Sequence, residues 1–148
     1  MNLGGSASPA NFSDYLTTEN PHLKVVFLDT LVGLSSQVNP RILARIDQDL
    51  KVTGDINPEI GQRWYPLSIA QDYRPAFDAA KSYVQRIGRQ KYIIPVYKSL
   101  VQNGFRNLAY QWFMERKDFY HPLTVKKIQA IIFSSKFVFE ENQHTFLN

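Results

Sequence analysis

The stretch GRQKYIIP, residues 88–95, joins two predicted helices, and the rest of the chain is arranged around it. Gly88 can adopt a positive φ and so end the helix before it, and Pro95 is tolerated in the first turn of the next helix. Arg89 and Lys91 lie between them, beside a helix start whose N–H groups and macrodipole favour an anion. The stretch therefore predicts a carboxylate-binding corner, and a solvated basic turn is the ordinary alternative.

Asn-Pro pairs predict the starts of three helices upstream, because Asn is a preferred N-cap and Pro is favoured at the first helical position. Apolar residues at spacings of three and four follow each pair. The same spacing predicts four further helices, the last of them opened by His121-Pro122, and Pro66 lies inside the third helix. The three pairs are Asn20-Pro21, Asn39-Pro40 and Asn57-Pro58.

Seven helices with short connections, and no strand-rich segment in the sequence, predict an all-α fold. Because the repeat period is irregular, we expect a two-layered antiparallel helical superhelix of the HEAT or armadillo type. The predicted organisation is a linker or expression remnant over residues 1–19, the helical domain over residues 20–133, and a tail over residues 134–148. Within the tail, residues 137–139 could form a short extended piece.

Composition limits the classes of function. The chain has 148 residues, is 44% hydrophobic and lacks cysteine, so disulfides and thiolate chemistry are excluded. No apolar run is long enough to span a membrane and no signal peptide is recognisable, which predicts a cytoplasmic protein without a membrane partner. The net charge is +4, and no acidic residue occurs between Asp78 and Glu115. This basic interval could attract a small anion, an acidic partner domain or a nucleic acid.

Catalytic and metal-binding patterns are not found in the sequence. The three histidines, His22, His121 and His144, are far apart and form no ligand pattern, and His121 is expected to start a helix. There is no nucleophile motif and no phosphate-binding loop, so we predict no catalytic residue, no metal site and no cofactor in this chain. We interpret Asp47, Asp49 and Asp55 as a solvated polar face.

Nucleic-acid binding is the weaker explanation of the interleaved aromatic and basic residues between Arg86 and Lys117. Tyr97, Trp112 and Phe113 fall at core spacing, whereas base stacking needs exposed rings.

Several features from Asn57 onward occur in a specific order: Asn57-Pro58-Glu59-Ile60, Arg63-Trp64, Gly88-Arg89-Gln90-Lys91-Tyr92 with Pro95-Val96-Tyr97, and His121-Pro122-Leu123-Thr124. In this order they resemble the C-terminal helical domain of the leukotriene-A hydrolase, aminopeptidase B and aminopeptidase O group of zinc aminopeptidases. The resemblance covers most of residues 20–133.

The resemblance implies a domain that closes one side of an active-site cleft and is not catalytic alone. It implies that Arg89 and Lys91 hold the free carboxylate of a peptide or fatty-acid substrate. It also implies a catalytic domain of the same enzyme as partner, with zinc in that domain and not in this chain. The alternative is a stand-alone helical scaffold that binds other proteins.

Overall fold

The structure, a computed structural model, describes residues 21–134. This part of the chain contains seven α-helices, two short 3₁₀ turns at Ser35–Gln37 and Arg74–Ala76, and no β-strand. The predicted all-α fold with about seven helices is confirmed. In chain order the helices are α1 (Pro21–Gly33), α2 (Pro40–Leu50), α3 (Pro58–Ala70), α4 (Phe77–Arg86), α5 (Gln90–Gln102), α6 (Arg106–Arg116) and α7 (Pro122–Ile132).

The predicted helix starts are made by the expected side chains. Asn39 Oδ1 accepts a hydrogen bond from the Ile42 N–H at 2.9 Å, and Asn57 Oδ1 accepts one from the Glu59 N–H at 2.9 Å. His121 caps α7 with its imidazole, which confirms its predicted role at a helix start. Each cap satisfies an N–H group that the helix cannot pair internally.

The helices form two layers. In the first layer α1, α3, α5 and α7 pack side by side in that order, and in the second layer α4 packs against α6. The second layer lies on the first through the contacts of α4 with α3 and α5 and of α6 with α5 and α7. This alternation is the arrangement expected of an antiparallel α-α superhelix, and it places α3 and α5 at the centre.

Aromatic side chains fill the core between the layers. Trp64, Tyr65, Tyr83, Tyr97 and Phe113 are among the largest fully buried side chains. Three aromatic residues of the basic interval, Tyr97, Trp112 and Phe113, are buried, as their spacing predicts. These three rings are therefore not available as stacking platforms for bases.

The central pair, α3 and α5, is joined by a side-chain hydrogen bond, and a glycine of α3 lies against a ring of α4. Ser99 Oγ on α5 donates a hydrogen bond to the Pro66 carbonyl on α3 at 2.7 Å. The ring of Tyr83, from α4, lies against Gly61, and its hydroxyl donates to the Pro58 carbonyl at 2.8 Å. A side chain at position 61 would occupy the space of that ring.

Two expectations for residues 88–95 are wrong. Gly88 does not have a positive φ. The helix α4 already ends at Arg86, because its C-cap residue Ile87 has an extended backbone conformation, so the glycine is not what ends the helix. Pro95 lies inside α5, beyond the first turn, because the helix begins at Gln90. The connection between α4 and α5 is therefore only residues 87–89, and residues 90–95 of the stretch belong to α5.

The interpretation of the aspartates as a solvated face is also wrong for two of them. Asp47 accepts hydrogen bonds from Thr53 and, at 2.9 Å, from the Tyr73 hydroxyl. Asp55 pairs with the buried ammonium of Lys24 at 2.8 Å. Asp55 thus joins the loop after α2 to α1, and Asp47 joins α2 to the segment after α3. A sequence pattern does not reveal these contacts because Lys24 and Tyr73 are distant from the aspartates in the chain.

Some predictions fall outside the described residues. They are the linker over residues 1–19, the Asn20 cap, all but the first residue of the tail over residues 134–148, and the extended piece at residues 137–139. These remain predictions.

Replacing Gly61 by alanine is expected to destabilise the fold by roughly 1–3 kcal/mol, because the new Cβ would lie 2.3 Å from the Tyr83 Cε1. Gly33→Ala is the matched control, since a Cβ at this helical glycine meets nothing within 4 Å. Urea unfolding followed by circular dichroism would compare the two variants. Equal midpoints for both would show that the ring moves away without cost.

Candidate functional site

The candidate site lies at the start of α5, where the chain turns from α4. Arg89 is the N-cap residue of α5, but its side chain forms no capping hydrogen bond. The guanidinium is exposed, 6.0 Å from the centre of the Tyr92 ring, and forms no ion pair with any residue in the range 21–134. Its hydrogen-bond donors are therefore open to an external anion.

Lys91 lies on the same turn but is held in place. Its Nζ is 3.0 Å from Glu59 Oε2 and 5.2 Å from the centre of the Tyr92 ring. The side chain is still 51% exposed. An ammonium has three donors, so Lys91 can keep Glu59 and still donate to a second carboxylate.

Glu59 is the centre of the charge cluster. Its carboxylate accepts from Arg63 Nη1 at 2.9 Å, from Lys91 Nζ at 3.0 Å and from the Tyr92 hydroxyl at 2.9 Å. These hydrogen bonds, that of Arg63 first, lower the pKa of Glu59 from 4.5 to about 2. Arg63 also binds Asp29 on α1 at 2.6 Å, so one network joins α1, α3 and α5.

Pro95 contributes to the site through the backbone. A proline inside a helix leaves the carbonyl four residues earlier without its helical partner. Here that carbonyl belongs to Lys91, and Gln62 Nε2 on α3 donates to it at 3.0 Å. The first turn of α5 is therefore fixed to α3 by both a main-chain and a side-chain contact.

The arrangement suits the binding of a single anion. Asp29 and Glu59 carry two negative charges, and Arg63, Lys91 and Arg89 carry three positive ones, so the cluster has one excess positive charge. The excess lies at Arg89, which no described carboxylate neutralises. A carboxylate between Arg89 and Lys91 would complete the charge balance.

The sequence identified Arg89 and Lys91, and the structure brings both to one corner. Sequence reasoning missed Glu59 and Tyr92 as the residues that position Lys91. Glu59 and Arg63 are spaced i and i+4 on a predicted helix, which signals an ion pair. Nothing in the sequence indicates the third partner, Lys91, from another helix.

Other kinds of site are not seen in residues 21–134. This range holds no group of three or more His, Cys, Asp or Glu side chains that could bind a metal ion. None of its helices is long and apolar enough to cross a membrane.

Comparison with known families identifies the fold. Residues 20–132 match the family described as leukotriene A4 hydrolase, C-terminal. The chain belongs to this family. The resemblance read from the Arg-Trp, Gly-Arg-x-Lys and His-Pro signatures is thereby confirmed.

The curated relatives of this chain carry the names of aminopeptidases. Leucine aminopeptidase 2 of Aspergillus niger is 27% identical over 112 residues, which is 76% of this chain and 18% of that protein. Leucine aminopeptidase 2 of Yarrowia lipolytica is 27% identical over 110 residues, 70% of this chain and 17% of that protein. Aminopeptidase B of Mus musculus is 26% identical over 120 residues, 79% of this chain and 18% of that protein. The chain thus spans less than a fifth of the length of these relatives, and no solved structure gives a significant match.

We expect Glu59→Gln to lower the free energy of unfolding near pH 7 by about 1 kcal/mol, a value reduced for the partial exposure of the carboxylate. Because folding lowers the pKa of Glu59 to about 2, the carboxylate stabilises the fold fully above pH 4.5. That stabilisation is lost as the pH falls from 4.5 towards 2. The difference between wild type and variant should therefore shrink in acid, as measured by urea unfolding at several pH values.

Asp72→Asn is the matched control, because Asp72 and its partner Arg74 are both largely exposed. This variant should change stability little at any pH. A pH-independent loss in Glu59→Gln would contradict the assignment of Glu59 as the charged centre of the cluster.

Proposed function

We propose that this chain is the C-terminal part of a zinc aminopeptidase and that Arg89 and Lys91 bind the free carboxylate of its substrate. The observation that carries the proposal is the corner at the start of α5, where an exposed, unpaired guanidinium lies next to a positioned ammonium. Membership of the leukotriene A4 hydrolase C-terminal family and the aminopeptidase names of the relatives support the proposed parent enzyme.

The two cations would have different roles. Arg89 presents a planar fork of N–H donors that matches both oxygens of a carboxylate and so sets the orientation of the ligand. Lys91 supplies a compact positive charge whose donors can rotate. Together they would bind a peptide or a fatty acid by the one group that the two substrates share.

Glu59 and Tyr92 are positioning residues in this proposal. Glu59 Oε2 lies 3.0 Å from Nζ of Lys91 and is itself held by the Tyr92 hydroxyl at 2.9 Å, which limits the rotamers that Lys91 can adopt. A long lysine side chain loses much conformational entropy when a ligand orders it, so ordering in advance favours binding. Glu59 reduces the net charge of the corner but keeps Lys91 in place.

The chemical step would belong to another part of the enzyme. The side chains of residues 21–134 do not fit a zinc site, so zinc and its ligands would lie in the catalytic domain of the parent. This chain would close one side of the cleft and hold the end of the substrate. Val26, Val32 and Leu34, apolar side chains exposed on and just after α1, are suited to a contact with that domain.

Arg89→Ala should lower kcat/KM for peptides with a free carboxylate by a factor equivalent to about 2–5 kcal/mol, since it removes one of the two cations that would pair with a carboxylate buried in the closed cleft. The assay mixes the chain with a catalytic part of a family aminopeptidase that lacks its own C-terminal part. The same peptides with a C-terminal amide serve as matched substrates, and Arg89→Ala should change kcat/KM for them only slightly. Arg86→Ala is the control variant, because Arg86 is exposed on α4 outside the corner.

The alternative function is a helical scaffold that binds other proteins without any role in catalysis. It predicts no activity in the mixture and a protein partner that is retained by Arg89→Ala and Lys91→Ala variants. Activity that appears in the mixture but is unchanged by Arg89→Ala would keep the parent enzyme and remove the carboxylate role.

A further inference from the structure

A groove between α5 and α7 lies next to Lys91 but is separate from Arg89. It has a volume of about 420 Å³ and a lining of apolar and basic side chains. The apolar part is formed by Ile94 and Pro95 from α5 and Ile131 from α7. Three lysines surround it: Lys91, Lys98 and Lys127.

The charge of the groove is not balanced by the fold. No acidic residue lines it, and neither Lys98 nor Lys127 forms an ion pair within residues 21–134. By contrast, Lys24 and Lys81 are paired with Asp55 and Glu115. The ammonium groups of Lys98 and Lys127 are therefore available to carboxylates from outside, whereas that of Lys91 is paired with Glu59.

The groove continues along the same two helices. A second cavity of about 250 Å³ shares Lys98 and Ile131 with the first and extends to Gln102, Ala130 and Ser134. At 1.5 Å per residue, α5 measures about 18 Å from Gln90 to Gln102. An extended peptide of five or six residues has this length at about 3.3 Å per residue.

We propose that this groove binds an extended acidic peptide segment. Apolar side chains of the peptide would pack against Ile94, Pro95 and Ile131, and its carboxylates would pair with Lys98 and Lys127. Successive side chains of an extended chain point to opposite sides, so alternating acidic and apolar residues would meet the lysine rim and the apolar floor. The lining contains no aromatic ring for base stacking, which argues against a nucleic acid.

The proposed peptide site does not depend on the proposed carboxylate corner. A peptide acetylated at its N-terminus and amidated at its C-terminus has no free terminal carboxylate, so only its acidic side chains can pair with lysine. Loss of binding to such a peptide would leave the role of Arg89 untouched. Conversely, Arg89→Ala should leave its binding unchanged.

The experiment is fluorescence anisotropy of the full chain with a labelled, end-blocked peptide of sequence Phe-Glu-Leu-Glu-Phe-Glu. We expect saturable binding that weakens with added salt. The double variant Lys98→Glu and Lys127→Glu should weaken binding about tenfold or more, since it replaces two attractive charge pairs by repulsive ones. A peptide with Gln in place of every Glu should bind no better to wild type than to the double variant.

Lys126→Glu is the matched control, because Lys126 is the neighbour of Lys127 on α7, is exposed and does not line the groove. It makes the same change of net charge as Lys127→Glu alone, and its binding should stay close to that of wild type. Equal losses in Lys126→Glu and Lys127→Glu would reduce the effect to long-range attraction and overturn the proposal.

Two further results would overturn it. One is the absence of saturable binding to the wild-type chain at low salt. The other is displacement of the peptide by a single-stranded oligonucleotide at lower concentration than by the unlabelled peptide. Circular dichroism melting would verify that the double variant, altered only at exposed positions, stays folded.

Discussion

The contact between α3 and α5 is the constraint on which both the fold and the candidate site depend. Ser99 on α5 donates to the Pro66 carbonyl on α3. Gln62 donates to the Lys91 carbonyl that Pro95 leaves free. Because the two helices occupy the centre of the first layer, every other helix except α2 packs against one of them or both.

The same contact explains the electrostatics of the corner. Glu59 is carried by the first turn of α3 and Lys91 by the first turn of α5, so packing the two helices brings their charges together. Arg63 extends the network to Asp29 on α1. The fold thus uses most of its local charge for its own structure and leaves Arg89 exposed. Lys91, in contrast, is ordered by Glu59 before any ligand is present, and such ordering in advance favours binding.

A large part of the fold could be predicted from local signals. Asn39, Asn57 and His121 cap helices where the sequence indicates, because capping depends only on residues within a few positions. Apolar spacing placed the seven helices for the same reason. Arg89 and Lys91 could be assigned as candidate residues because their turn and its signature are contiguous in the chain.

The rest could not be predicted, because it depends on contacts between distant residues. Gly88 is a residue type that often ends helices, yet α4 ends at Arg86 and its C-cap is Ile87 in an extended conformation. The Phe119 ring lies 3.4 Å from where a Gly88 Cβ would be. The sequence predicts a solvated surface position for Asp47, but the hydroxyl of Tyr73, 26 positions later, donates a hydrogen bond to its carboxylate.

The helices, the caps at Asn39, Asn57 and His121 and the family could be inferred from the sequence, since these are properties of short segments and of their order. Which charges are neutralised and which remain available follows from the packing of the helices. The physical reason is that an ion pair depends on distance in space. Glu59 and Lys91 are 32 positions apart and 3.0 Å from each other, whereas Arg89, two positions away from Lys91, forms no ion pair within residues 21–134.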